Sequence, residues 1–340
     1  MLHARAAGAE TPARRGRMIA LRRVALGFPV SWSHRRPYSL PAVGTPGKGP
    51  YFLDWFPGNG VYGEDFIGAA RDADGVLLYG SRLYHPIRIA QFALHRFNRW
   101  HATAESEAKS DFLAQAKWLR DHQDHLGRYR FPFPWSKYGA EAGWISAMAQ
   151  GEAISVLLRA HALEPANNYG DAALRAVRPF FIHCGSGGVA WRSGPDLFFE
   201  EVANQHAPHI LNGCIFALWG VWELWRRSED HRLERIISNC VDTLRKWLPR
   251  FDTGWWTCYS LLHSGGDQRH VATLKYHQFH IAQMRVLARM FDQSCFEEAA
   301  ARWADYIERP TCRIRVLLAA LRSIPERALG RDTIAGGAHT

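Results

Sequence analysis

The chain has 340 residues, 47% hydrophobic and 22% charged. That is the make-up of a globular protein with a sizeable core, and it excludes a disordered or low-complexity chain. Lysine and arginine outnumber aspartate and glutamate 42 to 32, a net charge of +10 that favours an anionic partner. No nucleic-acid-binding motif accompanies the charge, and no apolar run approaches the ~20 residues of a membrane helix.

Residues 1–50 are rich in Arg, Pro and Gly and read as largely irregular. Arg5, Arg14, Arg15, Arg17, Arg22 and Arg23 face one acid, Glu10, and the stretch looks like an over-extended start with Met18 as an alternative beginning. Residues 51–85 hold the turn signals Pro57-Gly58-Asn59-Gly60 and Asp72-Ala73-Asp74-Gly75 between short apolar runs, which predicts short strands or hairpins. From Pro86 the pattern becomes helical, with Ile89, Phe92, Ala93, Phe97 and Trp100 at three- and four-residue steps.

A second helix is predicted over 109–122, then pairs at 144–163 with 170–182, 208–227 with 231–248, and 276–291 with 295–307. The first members begin about sixty residues apart, which predicts four repeated hairpins over 86–310 and a C-terminal helix and tail over 311–340. Long return loops with polar-aromatic clusters favour closing the hairpins into an incomplete α/α toroid over an open solenoid. The predicted class is all-α, with function on those loops. The six cysteines show neither metal-type pairing nor a dense disulfide framework, which suits reduced thiols and a cytoplasmic setting.

Four segments carry candidate chemistry. Small residues crowd the start of the 144–163 helix (Ser146, Ala147, Ala149 and Gly151, flanking Gln150), which lets another backbone or a flat ligand approach. Phe199-Glu200-Glu201 leads to Leu211-Asn212-Gly213. Asp252-Thr253-Gly254 leads to Tyr259 and His263. Lys275-Tyr276-His277 leads to His280, with Tyr276 and His280 on one helical face. Taken singly, each also fits capping or a satisfied hydrogen-bond network.

In this order the segments resemble the C-terminal catalytic domain of the D-glucuronyl C5-epimerases. The likeness includes Gly143-Trp144 through Gly151, Tyr84-His85-Pro86 with Ile89-Ala90-Gln91, and Trp118-Leu119 with Gln123-Asp124 and Gly127. It spans about residues 79–308. The resemblance implies conversion of glucuronate to iduronate in a uronate-containing acidic polysaccharide, heparosan-like chains being the best-known substrate, with a homodimer expected.

The sequence departs from the family in four places. Val202 replaces a tyrosine credited with activity, Leu262 replaces an arginine, Lys275 replaces an aspartate, and a β-sandwich is missing after Asn98. The calcium ion associated with that β region is therefore not expected, nor is any cofactor.

Inversion at C5 needs two acid–base groups, one per ring face, and fixed donors around the developing enediolate. Tyr276 and Glu201 are the expected proton-transfer pair, with Tyr259 donating to the substrate. Lys275, His277 and His280 are expected to stabilise a Tyr276 phenolate. Gln150, Asn212, His263, Lys275, His277 and His280 are the expected substrate contacts. Two alternatives use the same residues or none: a polysaccharide lyase that expels the C4 substituent, and a non-catalytic binder of acidic polysaccharide.

Overall fold

A computed structural model describes residues 45–53, 69–80, 82–262 and 270–322. Among them nine α-helices form four hairpins and a terminal helix. The hairpins are α1 (Pro86–Thr103) with α2 (Ser106–Asp121), α3 (Ala147–Leu163) with α4 (Tyr169–Ala176), α5 (Leu211–Ser228) with α6 (His231–Phe251), and α7 (Leu274–Phe291) with α8 (Ser294–Glu308). The terminal helix is α9 (Pro310–Arg322). The expected all-α class and pairing are observed. The second helix of the second pair is shorter than predicted, because Pro179 ends it and the chain tightens into a 3-10 turn over Arg178–Phe181.

Local chemistry sets the helix ends. His85 is extended, accepts the Arg88 amide at its side chain, and precedes Pro86 at the first helical position. Ser146 caps α3 by accepting from the Ala149 amide, and Thr273 caps α7 by accepting from Tyr276. Left-handed residues Ala104, Glu229 and Asp292 end α1, α5 and α7 and turn the chain back.

The first helix of each hairpin lies inside. Gln91 of α1 meets Glu152 of α3, and Arg159 of α3 meets Glu223 of α5, so these helices run side by side in parallel. Gln283 of α7 donates to the Asn212 carbonyl of α5 and Phe216 packs near Phe279, which extends the row. The closest approach is α3 on α5: a Cβ at Gly220 would stand 1.9 Å from the Gly151 carbonyl oxygen, and one at Gly151 2.5 Å from the Ala217 Cα. Only glycine permits that backbone contact. Among the described residues no comparable contact joins α7 back to α1, so the inner helices form an open row.

Two small antiparallel hairpins ride on the return loops. One pairs β1 (Ala190–Ser193) with β2 (Asp196–Phe199) through Gly194 at φ 55°; the other pairs β3 (Cys258–Ser260) with β4 (His270–Val271). Sequence reading did not predict these strands. In 51–85 the described part contributes only isolated bridges, Arg71 with Leu77 and Tyr79 with Leu83. Residues 54–68, with the first turn signal, lie outside the described residues, as do residues 1–44.

Residues 45–53 sit at the far end of the inner row. Arg159 Nε donates to the Gly49 carbonyl, Glu223 accepts the Gly47 amide at 2.9 Å, and Asn98 of α1 accepts the Tyr51 amide at 2.7 Å. Because α1, α3 and α5 are parallel, their N-termini point to the opposite end, where the Glu200 carbonyl of the loop after β2 meets the start of α3.

Candidate active site

Glu200 and Glu201 follow β2 directly. The Glu200 carbonyl accepts the Ala147 amide at the start of α3, which fixes this loop against the helix end. The chain bends at Glu201, and the two carboxyls find different surroundings. Glu200 takes the His209 ring Nδ1 at 2.5 Å and the His209 amide at 3.0 Å. Glu201 lies under α5, its Oε2 3.4 Å from the Asn212 Nδ2 donor.

A Cβ on Gly213 would stand 2.2 Å from that same oxygen. The Leu211-Asn212-Gly213 motif thus has a local meaning: Asn212 donates to the carboxyl group and Gly213 makes room for it. Burial, followed by the negative charge of Glu200, pushes Glu201 up to about 8. It therefore holds its proton at neutral pH. A third carboxyl, Glu152 of α3, is wholly buried; its Oε1 accepts from Gln91 at 3.2 Å, and burial raises it well above the ordinary carboxylate range despite that bond.

Tyr259 on β3 joins this cluster to α7. Its ring lies 4.6 Å from that of Tyr276, at 66°, and 5.1 Å from that of His270. Burial, then the nearby Glu201, Tyr276 and Tyr138, hold its phenol well above the usual range. The structure therefore brings together Glu201, Asn212, Tyr259 and Tyr276 of the residues expected from sequence. Lys275 is half-buried on the first turn of α7, about 100° around the helix from Tyr276. His263 lies outside the described residues.

Three expected substrate contacts are placed elsewhere. Gln150 is fully buried with its amide occupied: it accepts the Tyr129 amide and donates to the carbonyls of Gly127 and Ala176. It clamps the 122–130 loop to α4 and has no surface to offer a ligand.

His277 and His280 are also fully buried, and both Nδ1 atoms lie 2.9 Å from the Thr257 hydroxyl. His277 Nε2 meets the Trp303 carbonyl at 2.9 Å, so that nitrogen carries the proton and Thr257 donates to Nδ1. The hydroxyl then accepts from His280. Burial lowers His277 to about 3 and takes His280 well below its ordinary value. Two neutral imidazoles turned towards Thr257 cannot supply the positive charge expected beside a Tyr276 phenolate. The Asp252-Thr253-Gly254 motif is an anchor too: Asp252 accepts from Arg302, Trp303 and Tyr306 of α8.

Sequence reading missed the 131–144 loop. Phe131 stacks on Trp144 at 3.8 Å, Trp135 leans on both Trp144 and Tyr138, and Trp135 and Ala140 pair as a bridge. The bridge presents Lys137 and Tyr138 at its tip. The signal was available in the density of aromatic residues over Phe131-Pro132-Phe133-Pro134-Trp135, which read as core material.

The fold and site define an all-α protein of helical hairpins with an acid–base cluster of one protonated carboxyl and two phenols. The model of the family described as the D-glucuronyl C5-epimerase C-terminus matches residues 123–305, and the chain belongs to that family. It is 30% identical over 212 residues to the D-glucuronyl C5-epimerase of Caenorhabditis elegans, covering 57% of this chain and 34% of that protein. It is 22% identical over 182 residues to an uncharacterized protein of Methanocaldococcus jannaschii, covering 52% of this chain and 56% of the other. The chain thus spans about a third to somewhat over half of these curated relatives. No helix of the described residues is long and apolar enough to cross a membrane.

Proposed function

We propose that this protein inverts C5 of glucuronate residues within an acidic polysaccharide, with Glu201 and Tyr276 as the proton-transfer groups. The observation that carries the reading is the cluster itself: a buried carboxyl near 8, within electrostatic reach of a phenol that packs on Tyr276.

With Glu201 near 8, about one molecule in ten has an ionised carboxylate at pH 7, enough to serve as base while the poised value keeps proton return easy. The C5–H electron pair passes into the substrate carboxylate as an enediolate while the proton goes to Glu201. Tyr276 O–H then protonates C5 from the other face, its phenolate recovers a proton from solvent, and Glu201 releases the abstracted proton to solvent. Tyr259, held protonated by burial, donates to the enediolate oxygen. Nearby neutral histidines do not stabilise a resting phenolate, which favours Tyr276 as the acid in the glucuronate-to-iduronate direction.

The test is incubation with heparosan in deuterium oxide. The expected result is deuterium at C5 by NMR with chain length unchanged. Chain shortening with an unsaturated uronate would assign a lyase, and absence of both label and cleavage would remove the enzymatic reading for this polymer.

A further inference from the structure

The chemistry above puts added negative charge on the substrate carboxylate, which a cation fixed near the cluster would stabilise beyond the Tyr259 donor. Several basic groups around the inner-helix N-termini are unsuited. His85, His277 and His280 are buried, and burial lowers each of them. Arg88 stands over the Tyr79 ring at 5.5 Å, and Lys275 is on a different side of α7 from Tyr276.

Lys137 is placed differently. It occupies the tip of the Trp135–Ala140 turn, anchored behind by Trp135 on Trp144 and by Asn204 donating to the Tyr138 carbonyl at 2.7 Å. From there its ammonium crosses to the 252–273 loop, reaching His270 Nε2 at 3.2 Å, while lying 5.3 Å from the Tyr138 ring centroid. The other His270 nitrogen, Nδ1, is 2.8 Å from the Ser260 hydroxyl, and the His270 ring packs on Tyr259. An Nδ1–H donated to Ser260 leaves Nε2 as the acceptor for Lys137. Lys137 is exposed, so its charge faces solvent and any arriving polymer.

We infer that Lys137, held by His270 beside Tyr259, is the cation that recognises the uronate carboxylate at this site. This rests on the proposed substrate class and adds a residue to it. An ammonium so held would orient the carboxylate towards Tyr259 and favour a uronate over a neutral sugar.

The test compares binding of heparosan oligosaccharides with the same oligosaccharides after reduction of their carboxylates to alcohols, by calorimetry. Wild-type protein should prefer the acidic ligand by about tenfold, as one charge-assisted hydrogen bond supports. Lys137→Ala should abolish the preference while leaving affinity for the reduced ligand and the thermal midpoint unchanged. Lys137→Arg should retain most of it. Undiminished preference in Lys137→Ala, or no preference in the wild type, overturns the inference. Because binding is read without turnover, a failed deuterium exchange and a failed preference are separate results.

Discussion

The two ends of the inner helical row treat buried charge in opposite ways. At the far end, Arg159 uses all five of its N–H donors: on both Glu223 oxygens and on the carbonyls of Gly49, Pro50 and Ser155. Glu223 accepts the Gly47 amide as well. At the loop end, Glu201 has one long contact to Asn212, and Glu152 has one bond from Gln91 with its Oε2 lacking any partner among the described residues. Equal burial yields a satisfied ion pair in one place and strained, proton-holding carboxyls in the other. The first arrangement holds structure; the second has the unmet demand that the proposed proton transfer would draw on.

Mutating each end separates the two. Glu201→Gln should lower C5 exchange by about a thousandfold, the range for losing a general acid–base group, measured by deuterium incorporation with heparosan. Glu223→Ala should cost about 3–5 kcal/mol by leaving Arg159 buried and unpaired, read from denaturant unfolding, with the exchange rate per folded molecule preserved. If Glu223→Ala abolished exchange in protein that remains folded, the contrast between the ends would be wrong.

Gly220→Ala sharpens the same comparison, since it pushes α3 and α5 apart between the two ends. A loss of about 2–3 kcal/mol is expected even though alanine is the better helix former.

The pH dependence of stability has the most diagnostic sign. Glu201 titrates near 8 in the fold and near 4.5 as an ordinary glutamate. Between those values the folded state binds the extra proton, so stability falls as pH rises from about 4.5 to 8. Glu201→Gln removes that slope. The variant should match wild type near pH 4 and exceed it by about 4 kcal/mol at pH 8, in thermal or urea unfolding. An inactive variant more stable than its parent would mark Glu201 as a residue kept for chemistry.

Much of the fold was legible because it rests on local signals. Pro86 and Ser146 announce helix starts, and apolar spacing at three and four residues names the inner faces. The β1–β2 hairpin was harder: its turn is Gly194-Pro195, but its strands are four residues each, too short for alternation to register. Glu201, Asn212, Tyr259 and Tyr276 are legible by type and order, and the fold brings them together. Gln150, His277 and His280 are buried on internal partners, and a motif does not reveal whether a polar side chain faces a cleft or is already bonded to backbone groups and Thr257. Lys137 escaped notice since its position depends on a contact 133 residues away.

The nine residues at 45–53 have a consequence for how the molecule assembles. Gly47 and Glu223 are separated by 176 positions, and α1, α3 and α5 all supply contacts to this stopper. It therefore docks only after the third hairpin has emerged and folded, which makes it a late, non-local event. Clipping the chain just beyond residue 53 should leave the helical row able to form, yet admit water to Arg159 from below.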